Sequence, residues 1–344
     1  MARRGVLALR SFFLVLCVLV FYFLPSPDSS LFQRPFSVAA IKVTSILSRG
    51  LPRLLICIAA HRVTGKTSAG FLNTVLDNFS INYRPSFDVR IHVDTNSAEL
   101  RDELRTRPSP PEVRVWSIAE LGGNPYNLPY VHREIMKNAM SAGEVDFVLF
   151  AEDDMLVPIA AFNLYVARRL ELQTMGWSYG FVRAEKWAVD NTTAISVDNI
   201  DPIIDAVVHE TVTGGRYAEP WTPYAAFYVL DAAELAAMIL DPSDVWFGGF
   251  PPFLHRERIS VGYAFKKTGG KGAPYGATGW RSRALIPLTI EGRVHPDVIV
   301  WHLPSKYAKS ATLGFGNAGA VKVADIFKWS SWPKSTIPLT LLPP

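Results

Sequence analysis

The chain has 344 residues, of which 49% are hydrophobic, 12% aromatic and 19% charged. This length and composition support a large buried core, so the chain is not disordered throughout and holds one large α/β domain or two ordinary ones. The net charge of +4 is small and its basic and acidic residues are interspersed, which excludes a nucleic-acid-binding surface. Two cysteines, Cys17 and Cys57, are too few for a disulfide framework or a thiolate zinc site, and both are expected to be unpaired.

The N-terminus predicts a membrane anchor. Residues 6–24 form an apolar run that only Arg10 interrupts, and as a helix this run spans roughly 28 Å, close to the thickness of a bilayer core. Basic residues flank its N-terminal end, so the positive-inside rule predicts that residues 1–5 are a cytoplasmic tail and that the rest is lumenal. A cleaved signal peptide is the alternative, but Pro25 and Pro27 stand where a small-residue cleavage pattern is needed.

A stem and a lumenal body follow this anchor. Residues 25–50 carry proline, serine and scattered apolar residues without a regular period, which predicts a stem. Two N-glycosylation sequons, at Asn78 and Asn191, agree with a lumenal location.

The first part of the body predicts alternating strands and helices. The apolar run 54–60 is typical of a parallel strand that is buried on both faces. Strands are predicted at 54–60, 87–94, 113–116 and 146–151, and helices at 71–79, 98–105 with Ser97 as N-cap, 131–139 and from Pro158 onwards. This alternation predicts a doubly wound, mostly parallel sheet, whose ligands bind outside the carboxyl ends of the strands.

Beyond residue 175 the pattern is mixed. Strands are predicted at 179–189, 225–230 and 297–303, and a helix at 231–240. Because neither a repeat nor a second linker separates them, residues 51–344 are expected to form one unit with two halves.

Three consecutive acids, Glu152, Asp153 and Asp154, end the most hydrophobic predicted strand. Adjacent carboxylates repel one another, and a divalent cation such as Mg²⁺ or Mn²⁺ would compensate them with oxygen coordination. The alternative is a solvated acidic turn at the N-terminus of the helix that begins near Pro158. Composition alone favours neither interpretation.

Residues 147–154 resemble the metal-binding DxD segment of nucleotide-sugar-dependent glycosyltransferases of the GT-A fold, in a Glu-Asp-Asp form. That family joins a type II anchor and a stem to a catalytic domain with a Rossmann-like first half, in the order seen here. The resemblance covers about residues 51–160 and identifies no subfamily. It implies a nucleotide-sugar-binding half at 51–175 and a mixed, acceptor-binding half at 176–344 of the same catalytic domain.

The resemblance also implies an activity. A sugar would move from a nucleoside-diphosphate sugar to a lumenal glycan, glycoprotein or glycolipid at the Golgi membrane, with the endoplasmic reticulum as the alternative compartment. Asp154 would bind Mn²⁺ or Mg²⁺, Asp153 would contact the metal, the ribose or the sugar, and Glu152 would help orient the donor site. The cation would stabilise the negative charge that develops on the departing nucleoside diphosphate.

Further donor-binding candidates lie at the predicted strand ends. His61 and Arg62 follow the first strand, where the imidazole could contact base or ribose and the guanidinium could pair with phosphate; ordinary turn residues are the alternative. Asp94 ends the second strand, where it could bind the nucleobase or form an Asx turn with Thr95 and Asn96.

The second half supplies the remaining candidates. His302 is expected to be another metal ligand, as a late histidine is in many GT-A enzymes; His295 is its rival, and a core histidine is the alternative. The resemblance further implies a carboxylate that deprotonates the acceptor, for which Glu257 is the first candidate and Asp244 the second. An ordinary surface segment is the alternative for Glu257.

His132 and Arg133 open the helix at 131–139. A cationic pair there could reach the diphosphate, but we expect a solvated face on which Arg133 pairs with Glu134 or Lys137. Two other functions stay open: a non-catalytic carbohydrate-binding protein on the same scaffold, and a metal-dependent phosphohydrolase. The phosphohydrolase would need more metal ligands at other strand ends than the sequence offers.

Overall fold

A computed structural model gives the fold of the chain, and Leu51–Pro344 forms one compact unit within it. The structure describes residues 50–62, 69–174, 176–186, 192–198, 202–220, 226–240, 265–267, 280–282, 284–304, 321–331 and 337–338. The predicted anchor at 6–24 and nearly all of the stem lie outside these residues. Within them, no helix combines the length and the apolarity that crossing a bilayer requires.

The first part of this unit alternates strands and helices as predicted. Its strands are β1 (Arg53–Ala60), β2 (Asp88–Thr95), β3 (Glu112–Val115), β4 (Phe147–Glu152) and β5 (Met155–Leu156). Its helices are α1 (Ala69–Asn78) with a π-helical extension (Phe79–Tyr83), α2 (Ala98–Arg105), α3 (His132–Ser141) after a 3-10 helix (Pro125–Tyr130), and α4 (Ile159–Gln173). Ser97 caps α2 as predicted, because its hydroxyl accepts a hydrogen bond from the Leu100 N–H at 3.1 Å.

The second part is built mainly of short strands. They are β6 (Ser178–Tyr179), β7 (Val182–Lys186), β8 (Ala194–Ser196), β9 (Ile203–Ile204), β10 (Val208–Glu210), β11 (Arg216–Ala218), β12 (Phe227–Asp231), β13 (Phe265–Lys267), β14 (Trp280–Ser282), β15 (Ala284–Leu288), β16 (Ile299–His302), β17 (Phe327–Lys328) and β18 (Ile337–Pro338). Helix α5 (Ala232–Ile239) follows β12, and short 3-10 helices occupy Pro296–Val298 and Val323–Asp325.

A five-stranded sheet in the order β3-β2-β1-β4-β12 lies at the centre of the unit. Its first four strands are parallel, and β12 pairs with β4 in the antiparallel sense. The described chain therefore has the predicted mixed α/β architecture with a mostly parallel sheet. The strand order reverses beside β1, because β2 and β3 lie on one side of it and β4 lies on the other. Such a reversal is where open α/β sheets place their ligands.

Both faces of this sheet are covered. Alternate residues of β1 enter two separate cores, with Leu54, Ile56 and Ile58 on the α1 and α4 side. Leu55 and Cys57 enter the other core, which α3 and α5 complete. Burial on both faces explains why the sequence of β1 is continuously apolar. Cys57 is a free buried thiol, as predicted, whereas Cys17 lies outside the described residues.

The predicted strand at 179–189 divides into β6 and β7, which join different sheets. Gly180 stands between them and donates its N–H to the carbonyl of Leu285 at 2.8 Å, while a Cβ there would lie 3.0 Å from the same oxygen. β6 pairs with β15, and β7 joins a four-stranded sheet in the order β5-β16-β7-β8. The sheet β5-β16-β7-β8, called the second sheet below, begins immediately after the acidic triplet, so it positions one side of the candidate site.

One sequon can be placed. Asn78 is the last residue of α1 and is partly buried, and its amide donates to the carbonyl of Val157 at 2.8 Å. This sequon therefore lies in a helical stretch, not in an exposed loop. Asn191 lies outside the described residues.

Candidate functional site

The predicted donor-binding residues of the first half share the carboxyl edge of the central sheet. Ala59 of β1 pairs on one side with Asp94 of β2 and on the other side with Glu152 of β4. His61 and Arg62 follow directly after β1 at the same edge. The structure thus brings these residues together at the reversal of the strand order beside β1.

Backbone hydrogen bonds tie each member of the acidic triplet to a different part of the fold. The N–H of Glu152 donates to Ala226, which precedes β12, and the N–H of Asp153 donates to Ala59 of β1, both at 3.2 Å. The carbonyl of Asp154 accepts from the N–H of Leu303, just after β16, at 2.9 Å. The triplet is therefore held where the central sheet, the antiparallel strand and the second sheet meet.

The electrostatics of the triplet are unfavourable without added positive charge. Burial raises the pKa of Asp153 well above its ordinary value, and the charges of Asp154 and Glu152 raise it further. The nearby charge of Arg62 opposes this shift in the pKa of Asp153. A cation bound at this edge would act in the same direction as Arg62.

Asp154 and His302 are in direct contact. The Nε2 atom of His302 lies 3.2 Å from Oδ2 of Asp154, and its Nδ1 atom lies 2.5 Å from Oε1 of Glu185. His302 and Glu185 are buried, with exposed side-chain fractions of 3% and 0%. Burial lowers the pKa of His302, but the hydrogen bonds to Asp154 and Glu185 outweigh it, so the net pKa is raised.

The donor set suits a cation that takes only part of its coordination from the protein. In the described part of the chain, no three His, Cys, Asp or Glu side chains converge as an all-protein metal site requires. Mg²⁺ and similar ions at phosphate sites are commonly held by one or two protein groups plus phosphate oxygens and water. Asp154 offers a carboxylate, the ligand type that suits Mn²⁺ and Mg²⁺, and His302 offers an imidazole beside it. Asp153 as a third ligand stays a prediction.

Arg62 is held by the turn after β2. Its N–H donates to Oδ1 of Asn96 at 2.8 Å, and its carbonyl accepts from the Asn96 amide at 3.0 Å. The Arg62 side chain is 17% exposed, and its Nη2 lies 3.6 Å from Oε2 of Glu103, whose side chain is half-exposed. This weak surface pair leaves the guanidinium able to bind an anion such as phosphate.

His61 packs beside an aromatic side chain of the 3-10 helix. Its ring is nearly parallel to that of Tyr126 in the 3-10 helix, with ring centroids 6.1 Å apart. Partial burial lowers the pKa of His61, which favours the neutral imidazole. Tyr126 is 62% exposed, so this edge presents an aromatic surface beside the end of β1.

Asp94 is buried at the end of β2, with an exposed fraction of 1%. Its Oδ1 atom accepts from the indole N–H of Trp116 at 2.7 Å and lies 3.2 Å from Nε2 of His92. Its Oδ2 atom is buried and has no hydrogen-bond partner among the described residues. The contacts expected of an Asx turn with Thr95 and Asn96 are thus replaced by contacts to an aromatic residue after β3.

His132 and Arg133 are not on a solvated face, so that expectation is wrong. His132 is 1% exposed; it stacks on Phe150 and its Nε2 lies 2.5 Å from the hydroxyl of Tyr228. Arg133 is 8% exposed and lies over the ring of Tyr130. Both side chains are polar yet buried, because aromatic neighbours on the sheet and the 3-10 helix cover the start of α3. Burial lowers the pKa of each.

His302 and His295, the two candidate histidine ligands of the metal, lie in different surroundings. His302 contacts the acidic triplet, whereas His295 accepts a hydrogen bond from the Asp297 N–H at 3.2 Å. His295 lines a separate cavity of about 340 Å³ with Arg168, Gly214, Arg216, Leu288, Thr289, Ile290 and Glu291. The catalytic candidates Glu257 and Asp244 lie outside the described residues.

Glu185, Trp116 and Tyr126 were not predicted as site residues. Glu185 does leave a signal, since a buried strand that carries alternating charged residues, Arg183 and Glu185, needs internal partners. Arg183 donates to Asp198, with Nε–Oδ2 at 2.9 Å, and Glu185 contacts Nδ1 of His302. Trp116 and Tyr126 carry no comparable signal, because single aromatic residues occur both in cores and at surfaces.

No protein-family model and no curated protein sequence matches the chain. Among solved structures, S. aureus TarS 1-349 is similar with 13% identity over 62% of this chain and 55% of that chain, at a TM-score of 0.33. A second structure of S. aureus TarS is similar with 12% identity over 61% of this chain and 34% of that chain, at a TM-score of 0.31.

A third similar structure is 4-diphosphocytidyl-2C-methyl-D-erythritolsynthase from Anaerococcus prevotii DSM 20548. It shares 13% identity over 61% of this chain and 83% of that chain, at a TM-score of 0.27. The chain spans about half of one TarS chain and about a third of the other. At such low similarity, the functional assignment depends on the geometry of the site.

Proposed function

We propose that the chain is a nucleotide-sugar-dependent glycosyltransferase of the GT-A type that uses Mn²⁺ or Mg²⁺. One observation carries this proposal: Asp154, at the end of the acidic triplet, contacts His302 at the carboxyl edge of the central sheet, beside the reversal of strand order. A carboxylate and an imidazole from distant parts of the chain meet there, at the edge where α/β sheets bind nucleotides.

The surroundings of this pair match the parts of a nucleoside-diphosphate sugar. Arg62 supplies a guanidinium for a phosphate, and His61 with Tyr126 forms an aromatic wall beside it. The buried Oδ2 of Asp94 is suited to accept a hydrogen bond from a nucleobase. Asp153 and Glu152 stay donor-site candidates because they share the same edge.

The division of roles follows from charge. Asp154 and His302 would hold the cation, with Asp153 as a further candidate ligand. When bound, the divalent ion supplies positive charge against the leaving nucleoside diphosphate. Arg62 adds a second positive charge from the β1 side, and the fixed backbone of the triplet keeps the carboxylates in place during the reaction.

The acceptor and the compartment belong to the same proposal. Under it, residues 6–24 anchor a single-pass type II protein, and the catalytic domain transfers sugar to a glycan, glycoprotein or glycolipid in the Golgi lumen. Glu257, with Asp244 as second candidate, would deprotonate the acceptor hydroxyl.

The test is a donor-hydrolysis panel with the full chain in detergent. Nucleotide sugars carrying UDP, GDP and CMP are incubated with and without Mn²⁺, and nucleotide release is measured for the wild type and for Asp154→Asn. We expect Mn²⁺-dependent release from one donor, which Asp154→Asn abolishes. Asp102→Asn is the matched control, because Asp102 is a 60% exposed aspartate on α2.

Three results would contradict the proposal. Full activity in Asp154→Asn would remove the carboxylate from the mechanism. Hydrolysis of simple phosphate esters without any nucleotide-sugar turnover would indicate a phosphohydrolase. Carbohydrate binding without nucleotide binding would indicate a non-catalytic carbohydrate-binding protein.

A further inference from the structure

We propose that Glu185 is the positioning residue of the metal site: it holds a proton on Nδ1 of His302, so that Nε2 presents its lone pair to the cation beside Asp154. This inference rests on the proposed function. Glu185 is buried on β7, so it belongs neither to the acidic triplet nor to β16, the strand that carries His302.

The strand register fixes the contact. β7 and β16 are parallel neighbours, and Ala184 pairs with Trp301. Glu185 and His302 are the next residues on their strands, so their side chains project from the same face of the second sheet. On the other side of β16, His302 pairs with Met155, the residue after Asp154. Asp154, in the turn before β5, places its Oδ2 3.2 Å from Nε2 of His302, so the three side chains Glu185, His302 and Asp154 form a row with His302 in the middle.

The chemistry of this row favours one tautomer. A neutral imidazole has one N–H and one lone pair, and a carboxylate can only accept a hydrogen bond. The contact between Nδ1 and Glu185 is the shorter, at 2.5 Å, against 3.2 Å between Nε2 and Asp154. With its proton on Nδ1, the imidazole donates a hydrogen bond to the completely buried Glu185. Its Nε2 then carries the lone pair, which can bind either a proton or a cation beside Asp154.

Metal-binding histidines commonly donate their second N–H to a carboxylate, which fixes the ring and makes the ligand more basic. Loss of such a partner typically costs 10- to 100-fold in metal affinity. Arg183, two residues before Glu185 on β7, makes an ion pair with Asp198, with Nε–Oδ2 at 2.9 Å. The contact of Glu185 with Nδ1 of His302, at 2.5 Å, is the one on which the positioning role depends.

The experiment is a double-mutant cycle on Mn²⁺ affinity, measured on the full chain by the electron paramagnetic resonance signal of free Mn²⁺. Wild type, Glu185→Gln, His302→Ala and the double variant are titrated. We expect Glu185→Gln to weaken Mn²⁺ binding about 10- to 100-fold, and to have no further effect when His302 is already alanine. Glu234→Gln is the matched control: Glu234 is a partly buried glutamate that accepts a tyrosine hydrogen bond, far in sequence from the acidic triplet.

The outcomes separate this inference from the proposed function. If the wild type binds Mn²⁺ neither alone nor in the presence of UDP or GDP, both are overturned. If the wild type binds Mn²⁺ but Glu185→Gln binds it equally well, only the role of Glu185 is overturned. An equal loss in the His302→Ala background would also overturn it, because Glu185 would then act without the histidine.

A second measurement does not depend on the folding of a Glu185 variant. Nitrogen NMR of ¹⁵N-histidine-labelled wild type in Mg²⁺, assigned with His302→Ala, reports which ring nitrogen carries the proton. We expect His302 protonated on Nδ1. Protonation on Nε2 in the Mg²⁺-bound protein would overturn the inference.

Discussion

Replacing Glu234 by glutamine should make the stability of the domain less sensitive to pH. Glu234 lies in the first turn of α5, where its carboxylate accepts from the Asp231 N–H at 3.1 Å and from the hydroxyl of Tyr165. Burial raises the pKa of Glu234 to about 7, and the nearby charge of Asp231 contributes to the increase. The folded protein thus binds this proton more tightly than the unfolded chain does.

The sign and size of the effect follow from linkage. Because the pKa is raised on folding, the contribution of Glu234 is fully present below about pH 4.5 and is lost as the pH rises towards 7. The shift corresponds to about 3 kcal/mol of stability lost across this window. Glutamine cannot titrate, and its side-chain oxygen can still accept from the N–H of Asp231 in the capping box.

The assay is urea unfolding of wild type and Glu234→Gln at several values between pH 4.5 and 8. We expect the variant to gain up to about 3 kcal/mol over the wild type as the pH rises, with most of the gain between pH 4.5 and 7. Glu134→Gln is the control, because the Glu134 side chain is 62% exposed on α3. A difference that stays constant with pH, or that shrinks, would refute the reasoning.

Three other substitutions test local features. Ser97→Ala should destabilise the fold by about 1 kcal/mol in urea unfolding, since it removes the N-cap of α2, whereas Ser97→Thr should restore most of the loss. Gly180→Ala should cost about 1–3 kcal/mol in the same assay, because the added Cβ would lie 3.0 Å from the carbonyl oxygen of Leu285; unchanged stability would contradict the close approach. Asp94→Asn should weaken binding of UDP or GDP at least tenfold in calorimetry, because an amide N–H would replace the acceptor Oδ2. Binding of inorganic pyrophosphate with Mn²⁺ should stay the same. Equal losses for the nucleotide and for pyrophosphate would exclude a nucleobase contact.

The alternating part of the fold could be predicted because its signals are local. A buried parallel strand is apolar throughout, as β1 is, and an N-cap such as Ser97 marks a helix start within a few residues. The pairing of strands is not local. Contacts between distant residues decide that β12 joins the sheet beside β4 in the antiparallel sense. They also decide that Gly180 separates two strands of different sheets.

The same distinction applies to the site. The acidic triplet and the strand-end residues could be located from the sequence because each follows a predicted strand. The contact between His302 and Asp154 spans 148 positions, and a histidine was expected there only because of a family resemblance. Glu185 lies 117 positions from His302, and no periodic pattern connects them. His132 was misplaced because its helix start is covered by aromatic residues that the helix pattern does not reveal.

The central claim is that the carboxyl edge beside β1 and β4 binds a nucleoside diphosphate through a cation held by Asp154 and His302. Calorimetric titration of the full chain with UDP and with GDP, in Mn²⁺ and in EDTA, tests it most directly. We expect one nucleotide to bind in Mn²⁺, with binding lost in EDTA and in Asp154→Asn. Equal binding with and without the metal, or binding that survives Asp154→Asn unchanged, would contradict the account.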